Sequence, residues 1–164
     1  RSLLASARHS ESRDRLNEIK GRESYRPIAP GCLEGELGRW FDSDAPDQHM
    51  LRFRRVLRPD VIPAVTHVDG SARVQSVTAA SCAGLHALLV AHRAATGTGM
   101  LCNTSLNFPG RGFINRTSEV LAFCDVNGVN HAVVGGRWFE RDGGPGAPRG
   151  GWGLRLDLLA ICFP

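Results

Sequence analysis

Lysine is almost absent from this chain: of its twenty basic residues, nineteen are arginine and only Lys20 is lysine. Aromatic residues are also scarce, at 7%, and this leaves little material for the base-stacking platforms of single-stranded nucleic acid binders. No apolar run approaches the roughly 18 residues that a membrane-spanning helix needs. The composition therefore excludes a helical membrane protein and argues against nucleic acid as a partner.

Several motifs that define enzyme classes are missing as well. No glycine loop ends in Gly-Lys-Ser or Gly-Lys-Thr, which excludes a P-loop NTPase, and no Gly-x-Ser-x-Gly elbow of a hydrolase occurs. The five cysteines form no Cys-x-x-Cys pair of a zinc or redox site. We therefore predict buried free thiols in a cytoplasmic protein and no metal site within the chain.

What is present is typical of one globular domain. The chain has 164 residues, 42% of them hydrophobic and 22% charged, with a net charge of +4. This mild positive charge suits an anionic ligand, whereas nucleic acid binders cluster their basic residues on one face and here the arginines are spread along the chain. Because the chain begins on Arg1 rather than Met, we expect it to be a fragment or a processed piece.

Strand-like and helix-like segments alternate along the chain. The helices are predicted at 11–20, with Ser10 as N-cap and Gly21 as C-cap, at 81–96, closed by Gly97, and at 118–124. The strands are predicted at 50–57, 64–68, 72–78, 100–106 and 131–139, with a hairpin through Asp69-Gly70-Ser71, while 34–48 reads as loop. This order predicts an α/β or α+β domain with a mixed sheet. Residues 142–151 read as a Gly/Pro-rich linker, and 153–164 as an apolar tail that is a strand, a helix or unrelated sequence.

Lys20 is the first candidate for a functional side chain. Arginine offers a planar fork of donors, whereas lysine offers a compact point charge, and phosphates are commonly held by one lysine together with several arginines. A single lysine between Arg15 and Arg22 therefore indicates an anion-binding position. The alternative is that one lysine survives by chance in an arginine-biased composition.

Two further stretches carry candidate ligand contacts. Ser105 and Asn107 follow a predicted buried strand, at the kind of strand end where α/β sheets bind ligands; the alternative is a turn that is rich in Asn, Ser and Gly for backbone reasons. Arg73 follows the predicted hairpin turn, where it reaches a phosphate or is simply solvated. His67 and Asp69 lie beside that turn. They either share a metal ion or act together as a general base, or they only shape the hairpin.

Taken together, these stretches resemble the C-terminal domain of the bacterial O-carbamoyltransferases, a family of nodulation and antibiotic-biosynthesis enzymes. The matching segments are Arg1-Ser2-Leu3-Leu4-Ala5, Arg13-Asp14-Arg15-Leu16-Asn17, Ile19-Lys20-Gly21-Arg22-Glu23, Arg26-Pro27-Ile28-Ala29-Pro30, Pro63-Ala64-Val65-Thr66-His67-Val68-Asp69-Gly70-Ser71-Ala72-Arg73-Val74-Gln75, Asn103-Thr104-Ser105-Leu106-Asn107 and Ile114-Asn115-Arg116-Thr117. The resemblance assigns residues 1–141 to this domain. Residues 142–164 have no counterpart in it, and Phe108-Pro109-Gly110 departs from the turn that the family usually has.

The resemblance implies an α/β, YrdC-like twisted mixed sheet with flanking helices. It implies binding of ATP, with Mg²⁺, and of carbamoyl phosphate, formation of carbamoyl adenylate, and release of pyrophosphate. Transfer of the carbamoyl group to a hydroxyl of a small molecule would belong to an Fe²⁺-dependent N-terminal domain that lies outside this chain. The site residues carried over are Arg1, Lys20, Arg26, Arg73, Ser105 and Asn107, of which Lys20, Arg73 and Ser105 would act in catalysis.

Two other functions stay open at this point. A YrdC-like domain with a pI of about 9.1 could bind RNA as a module. The chain could also be an inactive, truncated product that keeps the fold.

Overall fold

The computed structural model describes residues 1–108, 110 and 112–141, and the backbone of 152–155. The chain divides into two compact units, one spanning Ser2–Leu106 and one formed by Arg1 with the residues from Asn107 onward. The linker prediction for 142–151 and most of the predicted tail lie outside the described residues. Within the described part, no helix combines the length and the apolar character that crossing a bilayer requires.

The first unit is built from six strands and three helices. The strands are β1 (Ser2–Ser6), β2 (Pro30–Leu33), β3 (Arg54–Arg55), β4 (Ser71–Ala72), β5 (Gln75–Val77) and β6 (Met100–Ser105). The helices are α1 (Ser10–Ile19), α2 (Leu37–Trp40) and α3 (Ala83–Thr96). Single 3₁₀ turns lie at Glu34–Glu36 and Pro63–Val65.

Four of the strands form a mixed sheet in the order β1-β6-β2-β5. Strand β6 pairs antiparallel with both β1 and β2, whereas β5 runs parallel to β2. This arrangement confirms the predicted α/β class and the mixed sheet. Because side chains alternate across a strand, Met100 and Cys102 face one side of β6, where both are fully buried, and Asn103 and Ser105 face the other.

The core of this unit comes from large apolar side chains that the sheet and the helices exclude from water. Trp40, Phe41, Ile62, Leu89 and Met100 are all buried to 1% exposure or less. Helix α3 packs on β2 and β6, and α1 packs on β1 and β6. The packing of α1 brings its C-terminal end towards β6, and this positions the site described below.

The second unit combines helix α4 (Thr117–Asn127) with strands β7 (His131–Val134), β8 (Arg137–Arg141) and β9 (Trp152–Arg155). The three strands form an antiparallel sheet in chain order. The prediction of one strand over 131–139 was wrong, because Gly135 and Gly136 both take positive φ, +57° and +73°. Two such residues are typical of a tight hairpin turn, and they split the segment into two strands.

The predicted hairpin of the first unit was also wrong in its partners. The turn itself is present, with Gly70 at φ +77°, but the run before it, 64–68, begins with a 3₁₀ turn that starts at Pro63. Strand β4 pairs instead with β3, while Gln75–Val77 joins the central sheet.

The predicted strand over 50–57 shortens to Arg54–Arg55 because a side chain competes for its backbone. The carboxylate of Asp47 accepts hydrogen bonds from the backbone N–H groups of Leu51 and Arg52 at 2.9–3.1 Å. Those donors are therefore not offered to a neighbouring strand. The loop predicted at 34–48 likewise contains the 3₁₀ turn and α2, and β1 was not predicted at all.

The cysteines of the described part are free thiols, as predicted. Cys32, Cys102 and Cys124 are buried, and Cys82 is half-buried. Burial raises the pKa of Cys102 to about 12 and, with the charge of Asp125 adding to the effect, that of Cys124 to about 11. These thiols are therefore protonated and weakly reactive at neutral pH.

Candidate anion-binding site

The site begins where α1 ends, because the chain turns back sharply after Lys20. Gly21 has φ +58°, a left-handed conformation that side chains other than glycine rarely adopt. The N–H of Gly21 bonds the carbonyl of Glu18 at 3.0 Å, and the N–H of Arg22 bonds that of Asn17 at 2.9 Å. This pair of bonds is a Schellman motif, and it fixes Lys20 as the last residue of the helical turn.

Lys20 carries a buried ammonium that contacts the end of β6. Its Nζ donates to the backbone oxygen of Ser105 at 2.8 Å and to Oγ of the same residue at 3.3 Å. The residue is only 7% exposed, and the contact joins positions that are 85 apart in the sequence. The structure thus brings together two of the residues that the sequence nominated, Lys20 and Ser105.

The ammonium is held in an unfavourable electrostatic environment. Burial lowers the pKa of Lys20, and the positive charge of Arg22 lowers it further. Both effects penalise the charged form, and an anion brought to this position would relieve the penalty.

A polar strip runs along the same face of the sheet as Ser105. Asn103, two residues earlier in β6, donates from Nδ2 to Oε1 of Gln75 at 2.9 Å. Asn103 lies in β6 and Gln75 in β5, and these strands are not neighbours, since β2 lies between them. Their side chains meet across β2 at Gly31, which pairs with Gln75. Ser105 was predicted as a site residue and Asn103 was not, although the alternation of side chains along β6 places both on one face.

The segment after Lys20 is fastened to the helix by a buried amide. Asn17 is fully buried, and its Nδ2 donates to the carbonyls of Ser24, at 3.1 Å, and Arg26, at 2.9 Å. The guanidinium of Arg26 is 57% exposed and lies 3.9 Å from the carboxylate of Glu23. Arg26 is thus carried on a loop with fixed anchor points next to Lys20. Asn17 is a structural residue of this loop that sequence reasoning missed.

The predicted turn residues form a compact cluster of their own. Ser71 Oγ donates to Asp69 Oδ1 at 2.7 Å and lies 3.2 Å from Nδ1 of His67. Burial and the charge of exposed Arg73 lower the pKa of His67, against the opposing effect of Asp69. No group of three or more metal-ligating side chains converges anywhere in the described residues. These contacts show that His67 and Asp69 shape the turn, as the second alternative held, although the hairpin that it assumed does not form.

The remaining predicted residues keep the status of predictions. Arg73 is exposed at its position between β4 and β5. Arg1 and Asn107 belong to the second compact unit, where Asn107 forms a bridge to Phe113 and donates from Nδ2 to the carbonyl of Phe108 at 3.1 Å. Of the six predicted residues, the structure therefore brings together Lys20 and Ser105, and the roles of the other four stay predictions.

A cavity of about 310 Å³ is lined by none of the predicted site residues. It is bounded by Pro46, Asp47, Gln48, His49, Leu51 and Arg52. Asp47 is buried there. Burial alone would raise its pKa, but hydrogen bonds from the backbone of Leu51, Arg52 and His49, together with the charge of Arg54, lower the pKa below its usual value. Asp47 thus stabilises the loop as a carboxylate.

The geometry described so far is that of an α/β domain with a buried lysine at the end of a sheet strand. The family described as Carbamoyltransferase C-terminus matches residues 1–141 of this chain. The chain therefore belongs to the carbamoyltransferase C-terminal family.

Comparison with curated proteins gives the same family. The chain is 53% identical over 141 residues to 3'-hydroxymethylcephem-O-carbamoyltransferase of Amycolatopsis lactamdurans, covering 86% of this chain and 27% of that protein. It is 54% identical over 144 residues to the protein of the same name from Streptomyces clavuligerus, covering 88% and 28%. It is 41% identical over 145 residues to nodulation protein U of Rhizobium tropici, covering 87% and 24%. The chain spans about a quarter of the length of these relatives.

Proposed function

We propose that this chain is the carbamoyl-adenylate-forming domain of an O-carbamoyltransferase. It would bind ATP and carbamoyl phosphate, and the remainder of such an enzyme would transfer the carbamoyl group to a hydroxyl of a small molecule. Two relatives named as O-carbamoyltransferases of 3'-hydroxymethylcephem support this class of reaction and of acceptor. The observation that carries the proposal is the buried ammonium of Lys20 against Ser105.

The proposed reaction has two steps, the hydrolysis of carbamoyl phosphate and the adenylation of the carbamate. Water cleaves carbamoyl phosphate into carbamate and inorganic phosphate. A carbamate oxygen then attacks the α-phosphorus of ATP, the bond from that phosphorus to the bridging oxygen breaks, and pyrophosphate leaves. Carbamoyl adenylate and pyrophosphate are the products, and no redox change occurs.

The site supplies what this displacement needs most, which is a fixed positive charge. Negative charge accumulates on the phosphoryl oxygens and on the leaving pyrophosphate, and a donor already in place stabilises it without reorganisation. Helix α1 and strand β6 hold the Lys20 ammonium from two sides, through the capped helix end and through Ser105. In this proposal Lys20 and the Ser105 hydroxyl contact the phosphates, and Arg26 and Arg73 add positive charge.

A magnesium ion would arrive with ATP rather than wait in a protein cage. Mg²⁺ keeps several waters and binds through substrate phosphates with only one or two carboxylates. Its contribution when bound would be to offset phosphate charge.

The direct test is ATP binding by isothermal titration calorimetry with three proteins. These are the wild-type chain, Lys20→Met, and Arg15→Gln, which removes an exposed cation from the same helix. Losing a hydrogen bond to a charged group costs about 1.5–3 kcal/mol, so Lys20→Met should bind ATP roughly 10- to 150-fold more weakly. Arg15→Gln should bind like the wild type.

Two results would reject the proposal. One is the absence of ATP binding by the folded wild-type chain at millimolar nucleotide, which would favour the truncated, inactive alternative. The other is equal ATP affinity in wild type and Lys20→Met. Exchange of labelled pyrophosphate into ATP in the presence of carbamoyl phosphate then tests the chemical step itself.

A further inference from the structure

Tyr25, the only tyrosine of the chain, displays its side chain to solvent on the loop that follows Lys20. It is 68% exposed, although large aromatic side chains usually contribute buried area. It lies five residues after Lys20, on the loop that reverses direction at Gly21. An exposed ring in this position has no role in the core, and its place in the chain, shortly after a buried lysine, raises the question of what it contacts.

The backbone on both sides of Tyr25 is fixed, so the ring is presented from a defined position. The buried amide of Asn17 donates to the carbonyl of Ser24, just before Tyr25, and to that of Arg26, just after it. The N–H of Arg26 also bonds the carbonyl of Glu23 at 3.1 Å, which closes a turn around Tyr25. An anchored loop loses little further entropy when a ligand binds, and this preorganisation favours affinity.

The cations and the aromatic ring of this loop suit a ligand that has a flat ring at one end and negative charge at the other. Arg22 is close enough to Lys20 for its charge to lower the pKa of that lysine, and Arg26 follows Tyr25 directly. Lys20, Arg22 and Arg26 therefore place three positive charges along one loop, with a single aromatic ring between the last two. A nucleotide has this combination, since its phosphates need cations and its base has a face that stacks on aromatic rings.

We propose that Tyr25 is the stacking platform for the adenine of the ATP whose phosphates lie at Lys20 and Ser105. Asn17 acts as a positioning residue, because it holds the two carbonyls that flank Tyr25 and does not itself contact the nucleotide. This inference rests on the proposed function and adds to it the residue that recognises the base. It predicts that the loop distinguishes ATP from a bare chain of phosphates.

The experiment compares two ligands, ATP and inorganic tripolyphosphate, on four proteins by isothermal titration calorimetry. The proteins are wild type, Tyr25→Ala, Tyr25→Phe and Lys20→Met. Base–aromatic stacking lost on substitution by alanine weakens binding by roughly 5- to 150-fold. Tyr25→Ala should show this loss for ATP and bind tripolyphosphate like the wild type, whereas Tyr25→Phe should keep the affinity for ATP. Lys20→Met should lose affinity for both ligands.

A second measurement uses the fact that the chain has one tyrosine. Protein made with 3-fluorotyrosine gives a single ¹⁹F resonance, which reports on the ring of Tyr25 alone. ATP should shift this resonance at saturation clearly more than tripolyphosphate does, since only ATP carries a base.

The outcomes separate this inference from the proposed function. If wild type binds neither ligand, the proposed function fails and this inference fails with it. If wild type and Lys20→Met behave as expected but Tyr25→Ala keeps its full affinity for ATP, or loses affinity equally for ATP and tripolyphosphate, the stacking role of Tyr25 is overturned and the phosphate site remains. Equal ¹⁹F shifts from the two ligands would overturn it as well.

Discussion

The buried ammonium of Lys20 should make nucleotide affinity depend on pH in the alkaline range. Burial and the charge of Arg22 lower the pKa of this lysine below its usual range. The ammonium is the form that attracts phosphate, and a bound phosphate stabilises it and so raises the pKa again. ATP affinity should therefore be highest below the pKa of free Lys20 and should fall as the pH rises through it.

The size of the effect follows from what is lost when the ammonium becomes an amine. A hydrogen bond to a charged group contributes about 1.5–3 kcal/mol, so the affinities on the acidic and alkaline sides should differ by roughly 10- to 150-fold. Because one proton is involved, the slope cannot exceed about tenfold per pH unit. Phosphate ionisation does not confuse the result, since a phosphate group with a second pKa near 6 is fully ionised above about pH 8.

The assay is calorimetric titration of the chain with ATP at intervals from about pH 7.5 up to pH 10.5, the ordinary lysine pKa, on wild type and Lys20→Arg. Arginine keeps its charge at all these pH values, so the affinity of Lys20→Arg, whatever its level, should not vary with pH. In the range where wild-type affinity falls, wild type should take up protons on binding, which is seen as a dependence of the heat on the ionisation enthalpy of the buffer.

Two findings would contradict this reasoning. One is a wild-type affinity that stays constant over the whole range together with no proton uptake, because the lowered pKa would then have no consequence for binding. The other is the same decline in wild type and in Lys20→Arg, because the titrating group would then be a different residue.

Three further predictions concern the architecture around the site. Asn17→Ala removes both hydrogen bonds that anchor the Tyr25 loop and should lower the free energy of unfolding in urea by about 1–3 kcal/mol. An unchanged urea midpoint would show that the Asn17 amide does not contribute to stability. Gly21→Ala places a side chain at φ +58° with no atom within 4 Å of the new Cβ, so the cost is conformational and about 1–2 kcal/mol. Gly35→Ala, at an ordinary φ and equally without neighbours, is the matched control and should be neutral, and equal effects of the two would refute the argument. In folded protein at pH 7.5, a maleimide should modify half-buried Cys82 before buried Cys102, whose pKa burial raises to about 12; peptide mass spectrometry that finds the opposite order would contradict the burial.

Local chemistry in the sequence was enough to predict the ends of the two longer helices of the first unit. Gly97 takes positive φ directly after α3, and Gly21 does so one residue beyond the C-cap of α1; glycine is the residue that adopts this conformation at least cost. The strand that leads to Ser105 was also predictable, because the apolar run Met100-Leu101-Cys102 with which it begins is visible in the sequence. These features depend on a few neighbouring residues, and such neighbours are visible in a sequence.

Features that depend on contacts between distant segments were not predictable. The segment over 50–57 has the composition of a strand, yet the carboxylate of Asp47 takes up its backbone donors. The bond between Asn103 and Gln75 depends on the strand order β6-β2-β5, which no local pattern specifies. Asn17 looks like an ordinary helical residue in the sequence, and its function arises only because the chain folds back over the end of α1.

The rarity of lysine in this chain gains a physical explanation from the contact at the end of β6. One Nζ reaches two oxygens of a single residue, the carbonyl and the hydroxyl of Ser105, at 2.8 and 3.3 Å in a position that is 7% exposed. A compact ammonium can point two of its donors at such closely spaced oxygens. A guanidinium is planar, larger and directs its donors in a fixed fork. The described arginines are mostly exposed, and at buried Arg54 the fork donates to two separate carbonyls, those of Ser43 and Ala45. The geometry at Ser105, rather than the need for a positive charge, is therefore what distinguishes residue 20 from the nineteen arginines.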